Sequence, residues 1–300
     1  MVAKIIDTHV HFFDLQHPDL KYVWLEPDFV HPNLGNIDAM KSLRYDVEAL
    51  WAEARFADIE AFVHVQAALG SADPVDETRW LTEMHEGTPA PFTIVAHADL
   101  SSDDAVRQLD GHSESPYFVG IRDFASESYV ASGETSAQFE SSLNELTKRD
   151  LVFDLDCEWQ NMGAARALAE RHPDLQVVLE HIGFPRRRDE DYFRSWRSAI
   201  LDLGQAPNVV CKVSGVGMTD PRGVYADFVP WINTCLDAFG ADRCVVGSNW
   251  PLDRLVSSYD AAMSIYRQAA AQLTASEQSL FFSENARLIY RLGNSAETPG

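Results

Sequence analysis

The sequence has few basic residues and no long apolar run, and both shortages exclude classes of protein. It contains 24 Lys and Arg against 46 Asp and Glu, a net charge of -22. This balance argues against binding to nucleic acid or to an anionic membrane, because both require a basic surface. No run of about 18 apolar residues is present, and the amino-terminal residues lack a signal-peptide pattern. We therefore expect a cytoplasmic protein with neither a nucleic-acid nor a membrane partner.

Cysteine and glycine motifs are also missing. The four cysteines, at positions 157, 211, 235 and 244, form no C-x-x-C pair, which predicts reduced thiols and argues against a disulfide framework or a zinc ribbon. The segment after the first apolar run, "DTHVHFFDLQHPD", has no glycine-rich phosphate turn. An open doubly wound sheet that binds a dinucleotide would normally carry one there.

What the sequence does contain is a repeated alternation of short apolar segments and helix-like segments. Near-continuous apolar strands separated by amphipathic helices indicate a parallel sheet, and eight such units favour a single (β/α)8 TIM-type barrel over the open sheet. No linker divides the chain, so we expect one domain over 1–300, with 13–36 as a loop over the active-site mouth and 276–300 as a C-terminal helix and tail. The apolar segments are 4–13, 60–69, 92–100, 118–124, 151–157, 176–183, 208–215 and 244–251.

Three histidines fall where a barrel enzyme places its site. His9 and His11 are two residues apart on the first strand and so face the same side. His181 and Asn249 end the sixth and eighth strands, and the carboxyl ends of barrel strands form the catalytic mouth. Three neutral imidazoles can bind a divalent metal.

Several motifs in the same order resemble a known family. "DTHVHFFD", "HVQAA", "GIRDF", "LEHIG", "CKVSG", "GSNWP" and "ENARLIYRL" are similar to the amidohydrolase superfamily, in particular the amidohydrolase-2 branch of L-fuconolactonase, L-rhamnonolactonase and 2-pyrone-4,6-dicarboxylate lactonase. The resemblance implies a barrel hydrolase that opens a small lactone (sugar, pyrone, aromatic or terpenoid) with activated water. It also implies substrate binding by Arg122 and polar roles at the mouth for Gln66 and Lys212.

Asn249 departs from the family pattern, which has an aspartate at this position as the base. An amide cannot accept a proton near neutral pH and is a poorer metal ligand than a carboxylate. Two models stay open: one divalent metal (Zn or Mn), weakly held by His9, His11 and His181, or no metal, with the imidazoles and Asp156 handling the proton. The loss of the carboxylate favours the second model or weak binding.

Other features and activities complete the expectations. We expect Trp24 and Trp250 to line the substrate pocket. The cluster "PRRRDED" after the sixth strand could attract an anionic substrate to the mouth, but the acidic residues that follow favour a self-paired surface loop. The alternatives to a lactonase are a metal-dependent decarboxylase or hydratase of an aromatic acid, an amide or C–C hydrolase, and a barrel that only binds its ligand. The chain is expected to be a monomer or a homodimer acting on a small molecule.

Overall fold

Eight parallel strands in chain order form one closed sheet in the computed structural model, which describes residues 3–88, 91–133, 135–221 and 225–293. Each predicted apolar segment supplies one strand, so the (β/α)8 barrel is confirmed. The strands are shorter than the apolar segments, because most segments continue past the carboxyl end of the sheet into the mouth. The strands are β1 Ile5–Val10, β2 Ile59–Val65, β3 Phe92–Ala96, β4 Phe118–Arg122, β5 Val152–Leu155, β6 Val177–Leu179, β7 Val209–Val213 and β8 Cys244–Val246.

Hydrogen bonds between the first and last strands close the barrel. The Asn249 amide donates to His9 O at 2.9 Å, and the His11 amide donates to Trp250 O at 2.8 Å. The buried carboxylate of Asp7 accepts from the Ser248 amide at 2.7 Å. Closure leaves no edge strand in this sheet and brings the first-strand histidines beside Asn249.

Helices surround the sheet, and side-chain caps begin several of them. Asp46, Ser136, Asp189 and Ser258 each accept from the third residue along the chain, a cap that contributes about 1 kcal/mol. Near the C-terminus Thr274 forms a capping box with Glu277, so the helix begins at Ala275, one residue before the expected start at 276. The helices are α1 Val47–Ala54, α2 Val75–Glu86, α3 Ala105–His112, α4 Ser126–Ser132, α5 Ala137–Lys148, α6 Met162–Arg171, α7 Glu190–Leu203, α8 Val216–Thr219, α9 Val229–Phe239, α10 Tyr259–Ala269, α11 Ala275–Ser279 and α12 Asn285–Ile289, the last two joined by a π-helical turn at Leu280–Glu284.

Small apolar side chains from all eight strands fill the barrel interior. Val152, Val178 and Val210 belong to this cluster, together with Tyr290 and Leu292, which follow α12. The end of the described chain therefore closes the bottom of the barrel. None of the helices in the described ranges has the length and apolar character needed to cross a membrane.

The segment after β1 contributes to the opposite end of the barrel. Residues 13–36 contain only two-residue strands and a short turn, Val23–Leu25, and Phe13–Asp14 pairs with Arg44–Tyr45. Several of its side chains line the mouth. Residues 294–300 of the expected C-terminal tail lie outside the described residues.

Candidate active site

A bulge in β1 points the first two histidines into the barrel. Ile6 belongs to the interior cluster, so strict alternation would turn His9 outward. Between Asp7 and Val10, however, β1 advances three residues while β2 advances two, from Phe62 to His64. Bulges of this kind redirect side chains near active sites. His9 and His11 consequently face each other, with their Nε2 atoms 3.1 Å apart.

A left-handed turn after β6 supplies the third histidine. The four residues from His181 to Phe184 have φ angles of 51°, 50°, 73° and 49°, and this conformation costs a non-glycine residue about 1 kcal/mol or more. The turn lets Glu180 and His181, which are neighbours in sequence, both point inward. The rings of His9 and His181 lie 4.3 Å apart between centroids.

Glycine at position 215 leaves room for this third ring. A Cβ there would lie 2.5 Å from His181 Nδ1, and Gly215 has a φ of +61°, which disfavours any side chain. The preceding residue, Ser214, places its hydroxyl 2.7 Å from the same nitrogen. The β7 loop thus both admits and orients the ring.

Each of the three histidines has its Nδ1 atom occupied by a protein partner. His11 Nδ1 lies 2.8 Å from Val65 O, which can only accept, so this nitrogen carries the proton. His9 Nδ1 lies 2.8 Å from Glu180 Oε2, a close contact without hydrogen-bond alignment, and His181 Nδ1 lies 2.7 Å from the Ser214 hydroxyl. Burial lowers the pKa of His9 well below its usual value despite Glu180, and lowers the pKa of His11 and His181 to about 3. The three rings are neutral near pH 7.

These contacts make the site suitable for a divalent cation. With protons on Nδ1, the Nε2 atoms of His9 and His11 present lone pairs to each other at 3.1 Å, an arrangement that a shared cation would stabilise. Metal-binding histidines characteristically direct the other ring nitrogen to a carboxylate or a carbonyl, as His9 and His11 do. His9, Glu180 and His181 also offer ligand atoms within 4.8 Å of one another. The donor set fits one divalent metal.

A buried ionic layer lies directly beneath the histidines. Lys212 Nζ donates to Asp154 Oδ2 at 2.6 Å and to Glu180 Oε1 at 2.7 Å, and Tyr290 donates to Asp154 at 3.2 Å. Burial raises the pKa of Glu180, but His9 and Lys212 outweigh it and hold that pKa well below its usual range. The layer therefore keeps a carboxylate against His9.

Arg122 is held in the mouth by a two-point ion pair. Its Nε and Nη2 donate to the carboxylate of Asp156 at 2.9 and 2.8 Å, which leaves Nη1 for a ligand. Gln66 lies nearby with a buried Oε1 that has no protein partner. Asp156 positions the guanidinium, and we expect Arg122 and Gln66 to contact the substrate.

Asn249 is fixed by a second buried carboxylate. Its Nδ2 donates to Asp253 Oδ1 at 2.9 Å, and the backbone amides of Gly217 and Met218 donate to the same carboxylate at 3.1 Å. Because Asp253 accepts from the amide nitrogen, the Asn249 oxygen is the end that stays available to the cavity. A carboxylate at position 249 would instead lie against Asp253 and be repelled by it.

A cavity of about 370 Å³ lies above these groups. We define its floor as His11, Gln66, Arg122, His181 and Asn249. Its wall comes from the 13–36 segment and from the loops after the strands, and it is mainly apolar, with His31, Asn33 and Arg186 as its polar members. The wall is defined as these three residues with Val23, Trp24, Phe29, Phe124, Phe184 and Met218.

Two predicted pocket residues lie elsewhere, which corrects the sequence-based expectation. Lys212 has no exposed surface, because Asp154 and Glu180 hold it below the floor. Trp250 is 1% exposed, packs on Tyr259 and donates to Glu53 at 2.9 Å behind the mouth. The cavity lining includes His11, His181, Asn249, Arg122, Gln66 and Trp24, whereas His9 lies just beneath it.

The sequence analysis missed Glu180, although strand alternation could have found it. Glu180 is two residues beyond Val178, which faces the barrel interior, so it must face inward as well. His31, in the segment after β1, also lies in the cavity lining. Arg186, in the "PRRRDED" cluster, also lines the cavity and pairs with Glu158 at 2.6 Å, while its neighbours pair with Asp189 and Asp220.

Comparison with known proteins agrees with this arrangement. The amidohydrolase-2 family model, described as Amidohydrolase, matches residues 6–292. The chain belongs to the amidohydrolase-2 family. This amidohydrolase is 33% identical to the protein y4mH of Sinorhizobium fredii over 96% of this chain and 98% of that protein. It is 29% identical to an L-fucono-1,5-lactonase of Burkholderia multivorans over 99% of both chains.

A solved structure shares the fold of the amidohydrolase. It is a crystal structure of an amidohydrolase from Burkholderia multivorans with bound zinc, 27% identical, with a TM-score of 0.79 over 97% of this chain and 100% of that one. Family membership, together with the lactonase-named relatives, supports a hydrolase. The bound zinc of the relative agrees with the donor set found here, without fixing which metal this chain takes.

Proposed function

We propose that this amidohydrolase opens the ring of a small lactone with water. The observation that carries the proposal is the convergence of the His9, His11 and His181 rings beside Arg122 at the floor of a cavity. A lactone is a suitable substrate for these residues, because its ester carbonyl is reactive. Hydrolysis needs only a positioned water and a group that stabilises charge on the carbonyl oxygen. Relatives named L-fucono-1,5-lactonase at 27% and 29% identity support the same reaction.

The polar groups of the floor have separate roles in binding the carbonyl and the attacking water. Arg122, held by Asp156, directs Nη1 toward the carbonyl oxygen and stabilises the negative charge that develops there. Gln66 Oε1 and the Asn249 oxygen accept hydrogen bonds and so orient the attacking water. The ion pair to Asp156 fixes the guanidinium before the substrate arrives, which avoids reorganisation during the reaction.

A carboxylate base is not needed in this arrangement. Asp156 is engaged by Arg122, and Asp253 accepts three hydrogen bonds from neighbouring N–H groups. A divalent metal held by His9, His11 and His181 would polarise the carbonyl and lower the pKa of a bound water toward 7. Glu180 and Ser214 keep the His9 and His181 rings oriented.

Metal analysis combined with lactone hydrolysis tests the proposal. We expect near-stoichiometric divalent metal in the purified protein, proton release on a lactone panel, and loss of both on chelation, with recovery on refilling. Undiminished turnover without metal would refute the metal-based mechanism but not the reaction. Release of CO₂ from aromatic acids with no lactone opening would favour a decarboxylase, and absence of any turnover would favour a binding protein that gains activity in Asn249→Asp.

Organisation and location complete the proposal. We propose that the chain acts as one domain on a small molecule, with residues 13–36 covering the mouth. The four cysteines are free and buried, which fits an enzyme of the reducing cytoplasm.

A further inference from the structure

The floor and the wall of the cavity differ in polarity, and this difference constrains the substrate beyond its reactive carbonyl. We infer that the substrate is a neutral lactone with a hydrocarbon body, aromatic or alicyclic, and not a polyhydroxylated or carboxylated lactone. The inference rests on the proposed function, since it names the lactone that the site would open. A cavity of about 370 Å³ is near the lower end of small-molecule sites, so the body is small.

A sugar lactone would leave most of its hydroxyls without partners on the wall. Trp24 already donates its Nε1 proton to Ala67 O at 2.9 Å. His31 Nδ1 accepts from the Asn33 and Leu34 amides, and the Asn33 side-chain oxygen accepts from Arg186 at 3.0 Å. On these two residues His31 Nε2 and the Asn33 amide nitrogen are the groups left for a substrate hydroxyl. The polar groups of the floor are assigned to the lactone carbonyl and the attacking water, so they are not free to bind ring hydroxyls. Each hydroxyl buried without a partner weakens binding roughly 5- to 100-fold.

A carboxylated lactone would lack an unpaired cation. Among the described residues, the arginines that line the cavity are Arg122 and Arg186, and each is already paired with a carboxylate, Asp156 or Glu158. Burial, with Arg186 nearby, lowers the pKa of His31 to about 4, so it adds no charge near pH 7. A substrate carboxylate would have to share a guanidinium that is already paired, which compensates its burial less than an unpaired cation would.

The rim of the cavity carries exposed apolar side chains. Val23 is 47% exposed and Phe124 is 57% exposed, although both line the cavity. Phe124 also lies under the Arg122 guanidinium, with Cζ 5.2 Å from its ring centroid. This apolar surface borders both the cavity and the Arg122 guanidinium. It can therefore cover the hydrocarbon part of a substrate whose carbonyl lies at the floor.

Steady-state kinetics on three lactones tests the inference directly. The probes are 3,4-dihydrocoumarin, which is neutral and aromatic, L-fucono-1,5-lactone, which is polyhydroxylated, and 2-pyrone-4,6-dicarboxylate, which is charged. We expect kcat/KM for dihydrocoumarin to exceed each of the others at least 100-fold. A smaller ratio, or a preference for the sugar lactone, would overturn the inference and leave the lactonase proposal standing.

Equilibrium binding separates failure of the inference from failure of the proposed function. 2-Tetralone replaces the ring oxygen of dihydrocoumarin with carbon and cannot be hydrolysed, and glucono-δ-lactam is its polyhydroxylated counterpart. By calorimetry we expect the Kd for the tetralone to be at least tenfold lower than the Kd for glucono-δ-lactam. If no lactone is opened but this order holds, the reaction is wrong and the cavity assignment stands. Equal binding, or binding of neither compound, overturns the assignment.

Matched phenylalanine variants test the wall itself. Phe124→Ala is expected to raise KM for dihydrocoumarin three- to tenfold with little change in kcat, and to raise KM for unsubstituted δ-valerolactone by a smaller factor. Phe56→Ala is the control, because Phe56 is also exposed and also lies under an arginine, Arg55, but precedes β2 at the far end of the barrel. Equal KM values for wild type and Phe124→Ala on dihydrocoumarin would refute a contact with the substrate body.

Discussion

Buried histidines occupy two regions of this molecule, and the use of their ring nitrogens separates the regions. At the mouth, His9, His11 and His181 have partners at Nδ1 and direct Nε2 toward one another or the cavity. On the flank, His64 accepts from the Phe12 amide and contacts Glu77, and His112 contacts Thr78 and donates to His97 O.

The difference teaches that burial alone does not identify a catalytic histidine. A flank histidine has both nitrogens satisfied by the protein and serves as a rigid connector between strands and helices. A mouth histidine has one nitrogen satisfied and one available to a ligand or a metal. The availability of the second nitrogen is the physical distinction, and changes to either region test it.

Removing a mouth ring gives the largest expected effect. His181→Ala and His9→Ala should each lower kcat/KM by at least about 10³-fold, because each deletes a group that holds the metal or the substrate. Circular dichroism and thermal unfolding should show a folded protein. Activity within tenfold of wild type in either variant would contradict the assignment of the mouth region.

Removing a flank ring should affect stability instead. His112→Ala leaves the Thr78 hydroxyl and His97 O without a partner and creates a cavity, so we expect a loss of about 2–4 kcal/mol in the free energy of unfolding. Denaturant unfolding measures it. At a temperature where the variant is folded, its kcat should match that of the wild type. A fall in kcat without a loss of stability would contradict the assignment of His112 to the flank region.

Acid should weaken the flank through the same residue. Burial lowers the pKa of His112 to about 4 from the usual 6.5, so the unfolded chain binds more protons between these values and stability falls as the pH drops from 6.5 toward 4. The shift corresponds to about 3 kcal/mol. His112→Gln, which keeps a donor and an acceptor but does not titrate, should reduce the slope of unfolding free energy against pH in this window by up to one proton, while His9, His11, His31 and His181 supply the rest. An unchanged slope would show that His112 titrates normally.

The smallest expected effect comes from a partner behind a mouth ring. Ser214→Ala removes the hydroxyl at His181 Nδ1 and should reduce metal affinity or kcat/KM about 10- to 100-fold without unfolding the protein. Metal titration of the chelated protein measures the first quantity. Thr82→Ala is a matched control, since it removes a hydroxyl bonded to Ser115 on the flank. If both variants behave alike, orientation of the His181 ring is unimportant.

The barrel and the histidine set could be predicted from sequence, because apolar strands and an H-x-H pair are local patterns. Lys212 and Trp250 were misplaced, since alternation tells which face a residue occupies but not how deep it lies. The inward turn of His181 depends on left-handed backbone angles at positions 181 and 182. Histidine and isoleucine do not favour such angles, so the sequence does not predict them. The burial of His112 depends on its packing against α2 and β3, which is tertiary information.

The polar contacts that end at His9 begin at the far end of the chain. Tyr290 contacts Asp154, Asp154 contacts Lys212, Lys212 contacts Glu180, and Glu180 contacts His9. During synthesis on the ribosome, a nascent chain that ends after β8 already contains all the histidines of the mouth but not the phenol that completes this relay. The set of polar contacts behind His9 is thereby completed only by a residue that follows α12.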